Sequence, residues 1–70
     1  MQQNKPEKMG QNCVIGENAS IGSHVILGHN CIIEDGVIIG DNSYIDSGAI
    51  LRRGVVLGAD SFVGAHCILG

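Results

Sequence analysis

Ile21-Gly22-Ser23-His24-Val25-Ile26 is followed directly by Leu27-Gly28-His29-Asn30-Cys31-Ile32, a second copy of the same six-residue unit. The unit continues in both directions. Steps of six from Met9 meet Ile15, Ile21, Leu27, Ile33, Ile39, Ile45, Leu51, Leu57, Val63 and Leu69, all aliphatic. Glycine follows at 10, 16, 22, 28, 40, 58, 64 and 70. A fixed short period means one structural unit stacked on copies of itself. Six does not match the helical period, and eleven glycines would be costly in a helix.

The columns of the repeat assign a task to each place. The fifth place holds Cys13, Ala19, Val25, Cys31, Val37, Ser43, Ala49, Val55, Ser61 and Cys67, all small or β-branched. The fourth holds Asn12, Asn18, His24, Asn30, Gly36, Asn42, Gly48, Gly54, Asp60 and His66, the types that best tolerate a left-handed backbone. Each unit is therefore expected to turn at its fourth place and to run as a short strand between turns. The fifth residue and the next first residue lie two apart and point to one core. The sixth points outward. It is apolar or aromatic at every unit except Ser20, and continuous apolar columns call for a partner surface. The columns Val14, Ile32, Ile50, Ile68 and Ile26, Tyr44, Phe62 are the candidate contacts.

The pattern aliphatic–Gly–x–x–small–x resembles the hexapeptide-repeat family over Met9 to Gly70. The resemblance implies an all-β fold, a left-handed parallel β-helix with three hexads per triangular coil and about three and a half coils, uncapped. It also implies a homo-oligomer, typically a trimer. Residues eighteen apart then stack at roughly 4.8 Å. Glu34 lies under Arg52 and Asp35 under Arg53, so an ion-pair ladder is expected there, or else an arginine that meets a ligand phosphate. Residues 1–8, polar and holding the only proline, read as a flexible tail before a β-helix over 9–70. The last residues, Leu69-Gly70, open a new hexad, which suggests truncation at the C-terminus.

Net charge is −3, with Lys5, Lys8, Arg52 and Arg53 the only basic residues, so no footprint for nucleic acid or anionic membrane exists. No apolar run is long enough to span a bilayer, and no export signal is visible, which points to the cytoplasm. Three cysteines fit reduced, inward-facing thiols, although Cys13 and Cys31 lie one coil apart and a disulfide between them is geometrically conceivable.

Leu27-Gly28-His29-Asn30-Cys31 resembles a segment of hexapeptide acyltransferases, among them bacterial sugar O- and N-acetyltransferases. In those enzymes the histidine is the general base, which assigns that role to His29, with His66 as second choice and His24 as a turn residue. The resemblance implies acetyl-CoA as donor and an amino or hydroxyl group of a nucleotide-linked sugar as acceptor. Imidazole titrates near neutral pH and suits the proton transfer. The alternative is a β-helix module without chemistry, for assembly or regulation. A γ-class carbonic anhydrase-like zinc site of His24, His29 and His66 is disfavoured by register, and no metal is expected.

Overall fold

The computed structural model describes residues 5–70. Eleven two-residue strands follow one another at six-residue intervals: β1 (Lys8–Met9), β2 (Val14–Ile15), β3 (Ser20–Ile21), β4 (Ile26–Leu27), β5 (Ile32–Ile33), β6 (Ile38–Ile39), β7 (Tyr44–Ile45), β8 (Ile50–Leu51), β9 (Val56–Leu57), β10 (Phe62–Val63) and β11 (Ile68–Leu69). They form three parallel sheets, β1-β4-β7-β10, β2-β5-β8-β11 and β3-β6-β9. Every pairing joins residues eighteen apart, as in Lys8↔Ile26, Ile26↔Tyr44 and Tyr44↔Phe62. The chain is a left-handed parallel β-helix with three strands to the coil. Among the described residues no helix is long and apolar enough to cross a membrane.

The first and fifth places line the interior as the alternation requires. Ile33, Ile45, Val25, Val37 and Leu51 are fully buried, and Cys31 and Ala49 sit among them. At both ends of the stack the interior thins: Cys13, Ile15, Val55, Leu57 and Leu69 are only partly covered. The sixth place faces solvent, with Val14 at 59%, Phe62 at 66% and Ile68 at 63% exposure. Tyr44 and Phe62 stack there with ring centroids 5.5 Å apart.

The turns follow the fourth-place column. Asn12, His24, Asn30, Asn42, Asp60 and His66 all have φ near +60°, and Gly36, Gly48 and Gly54 are also positive. With the third residue at negative φ, this is the type II arrangement. Asn18 departs from the expectation. It has no positive φ, although Ala19 N–H still reaches Gly16 C=O at 3.3 Å. A type I turn closes the same bond without a left-handed residue.

The second-place glycines have a packing cause. A Cβ on Gly40 would lie 2.5 Å from the Ala59 nitrogen and from the Gly58 carbonyl carbon. Both are backbone atoms of the next coil and cannot swing aside. Gly40→Ala is therefore expected to lower stability by about 1–3 kcal/mol. Gly58→Ala, whose Cβ would meet nothing within 4 Å, should be far milder in the same thermal melts. Equal losses at the two positions would remove this explanation.

Two further expectations change. Glu7 N–H already bonds Val25 C=O at 2.8 Å and β1 starts at Lys8, so the coil begins before residue 9. Residues 1–4 of the expected tail lie outside the described residues. The ion-pair ladder of Glu34 and Asp35 with Arg52 and Arg53 does not form. Glu34 Oε1 accepts from Arg53 N–H at 2.9 Å, and Asp35 Oδ1 accepts from Glu17 N–H at 3.1 Å. Backbone N–H groups at the turns need acceptors more than two exposed charges need each other.

Candidate functional site

Stacking gathers the chemistry-bearing residues onto one of the three corners. Residues 10–13, 28–31, 46–49 and 64–67 lie over one another there, between the outward faces of β1-β4-β7-β10 and β2-β5-β8-β11. This corner holds His29, His66 and all three cysteines. His24 stands on a different corner, where its Nε2 is 3.9 Å from Glu7 Oε1. The three histidines therefore do not converge within one chain, and among the described residues no group of three or more His, Cys, Asp or Glu is placed to hold a metal ion.

His29 is exposed and fixed from both sides. Its backbone N–H donates to Ser47 Oγ at 2.9 Å, and its C=O accepts from Gly48 N–H at 2.8 Å. Its Nδ1 accepts from Gln11 N–H at 2.8 Å. The last bond belongs to a series. Asp35 takes the N–H of Glu17, Asp41 that of Ser23 at 2.7 Å, and Ser47 that of His29. A third-place side chain thus satisfies the turn N–H one coil earlier. Gly10 permits the approach, because a Cβ there would sit 2.5 Å from His29 Nδ1. The sequence carried this signal: every third-place residue from Gln11 to Ser47 bears an acceptor atom. Only the stacking offset reveals what that atom accepts.

The series gives His29 a structural duty. His29→Ala is expected to cost about 1 kcal/mol, the typical worth of one such hydrogen bond. His29→Ser, which copies the acceptor used at Ser47, should recover most of it in urea titrations. Identical midpoints for His29→Ala and the unaltered chain would show that the bond contributes nothing.

His66 is the turn residue of the last complete corner, with φ 59° and its N–H on Ser47 C=O at 3.0 Å. Its ring lies against Gly48, and its imidazole makes no hydrogen bond among the described residues. Ser47 thus touches both candidate histidines through different atoms.

The cysteines are free thiols, and they are not alike. Cys31 is buried, its thiol pushed up by that burial and by the neighbouring Cys13, and it donates to Asp46 C=O at 3.2 Å. Cys13 donates to Gly28 C=O at 3.0 Å. Cys67, expected inside, is exposed. Alkylation with iodoacetamide should therefore reach Cys67 first and Cys31 only on unfolding.

Two shallow grooves lie on the second corner rather than beside the histidines. One, of about 300 Å³, runs over Val14, Ile32, Glu34, Asp35 and Arg53. The other is formed by Glu34, Arg52, Arg53 and Gly70. With both carboxylates turned to backbone N–H groups, neither guanidinium is paired with them.

The sequence profile described as "Bacterial transferase hexapeptide (six repeats)" matches residues 8–40 and again 36–70. No curated protein and no solved structure matches the chain.

Proposed function

The chain belongs to the bacterial transferase hexapeptide family, and from that premise we propose that it serves acyl-CoA-dependent acyl transfer, with acetyl-CoA as donor and an amino or hydroxyl group of a nucleotide-linked sugar as acceptor. The observation that carries the reading is His29, exposed on the corner that also holds His66 and held there at its backbone by two hydrogen bonds. The acceptor nitrogen or oxygen attacks the thioester carbonyl. A C–N or C–O bond forms, the C–S bond breaks, and the acceptor's proton passes to His29 and from there to the leaving thiolate. His66 is the second candidate for the same task. The unpaired guanidiniums of Arg52 and Arg53 are suited to the donor's phosphates.

The outward apolar columns support a homo-oligomer, most simply a trimer with helix axes side by side. They also support the second reading, a β-helix module that assembles a complex and performs no chemistry. Calorimetry with acetyl-CoA separates the two. Saturable binding is expected, weakened when Arg52 and Arg53 are both changed to Ala. An absence of heat at millimolar acetyl-CoA would favour the assembly module.

A further inference from the structure

The hydrogen bond at His29 Nδ1 sets a condition on proton transfer. A backbone N–H can only donate, so the Nδ1 that receives it carries a lone pair. The neutral ring then holds its proton on Nε2. The ring orientation follows from the same donor: turned over about Cβ–Cγ, it would set Cδ2–H against the Gln11 N–H, with no bond made. In the arrangement seen, the edge away from Gln11 presents Nε2–H, a donor, and not a base.

We propose that the Gln11 backbone N–H is a positioning group that holds His29 as a hydrogen-bond donor, and that His29 accepts a proton only when this contact opens and the ring turns Nδ1 outward. The inference rests on the acyl-transfer reading for its functional meaning, but its geometry stands without it. Three observations combine. The contact is short, at 2.8 Å. It repeats a device used at Asp35, Asp41 and Ser47, so it belongs to the scaffold rather than to a chance rotamer. Gly10 leaves the space for the ring to lie against the earlier coil. A docking ligand or neighbouring subunit that displaces the Gln11 turn would switch the corner from donor to base.

The fold offers a variant that removes the N–H and, because the proline Cδ takes its place, also pushes the ring away. Gln11 is the second residue of a turn whose third, Asn12, has φ +63°. Proline is favoured at that place of a type II turn, and it lacks the N–H. Imidazole ¹⁵N NMR of the whole chain, at about pH 8.5 where an ordinary imidazole is neutral, reads the tautomer directly. The unaltered chain should show one Nε2–H form with Nδ1 as acceptor, and a coupling across the Gln11 N–H···Nδ1 bond. In Gln11→Pro the coupling disappears and the tautomer ratio should fall about fivefold, the equivalent of one hydrogen bond. If Gln11→Pro does not fold, the unaltered spectrum decides alone. A dominant Nδ1–H form, or no coupling from Gln11, overturns the proposal. Because no acyl donor is present, failure of the acyl-transfer reading would leave these spectra unchanged.

Discussion

Ile33→Asp is expected to unfold the entire chain. Ile33 is fully buried, and it pairs with Ile15 below and Leu51 above in the β2-β5-β8-β11 sheet. Among the described residues no cation reaches the interior, and the buried donors Cys31 and Ser43 already bond the backbone carbonyls of Asp46 and Gly58. An unpaired carboxylate buried there costs on the order of 4 kcal/mol or more. A core of this size supplies only about 3–5 kcal/mol of net stability. The coil stack propagates contacts from neighbour to neighbour, so a break at the second coil separates the two ends. Circular dichroism of Ile33→Asp should show no β signal at 25 °C. A melting temperature within a few degrees of the unaltered chain would mean that the first-place column is not the core.

Ile32→Asp, one residue earlier, should leave the fold standing and reach the assembly instead. Ile32 is 36% exposed on the outward side of the same strand. It sits in the column with Val14 at 59% and Ile68 at 63% exposure, and Tyr44 and Phe62 form the stacked pair on the adjoining face. Central apolar anchors of an interface typically contribute about 2–4 kcal/mol each. A carboxylate at Ile32 or at Tyr44 should therefore weaken self-association on the order of a hundredfold on whichever face is the contact. Sedimentation velocity reads it. An unaltered chain that is monomeric at micromolar concentration would leave these columns without a partner copy.

The contrast between residues 32 and 33 shows which parts of the molecule the sequence exposes. The aliphatic column at Ile21, Ile33 and Ile45 and the left-handed residues at Asn12, Asn30 and Asn42 are local regularities, so the coil could be read from the chain. Contacts between coils could be read only as far as charge and size allowed. Glu34 and Arg52 are eighteen residues apart and so in register, yet the carboxylate serves the Arg53 N–H, a backbone demand that side-chain types do not display. Asn18 could not be told from the other turn residues, because type I and type II turns accept the same residue there. Cys67 holds the same place in the repeat as the buried Cys31 and is nonetheless exposed, a difference that the repeat does not display. At His29 the family motif gave the residue, and the stacking gave its bond to Gln11, which no pattern of residue types along one coil contains.

Release of free CoA thiol from acetyl-CoA reads out the proposed acyl transfer at the His29 corner. The assay compares the unaltered chain with His29→Ser in the presence and absence of a nucleotide-linked amino sugar. His29→Ser keeps an acceptor for the Gln11 N–H, so its fold should persist while its imidazole is gone. Thiol release is expected to depend on the acceptor and to fall on the order of a hundredfold or more in His29→Ser. Acceptor-dependent release that is undiminished in His29→Ser would contradict a proton-accepting role for His29.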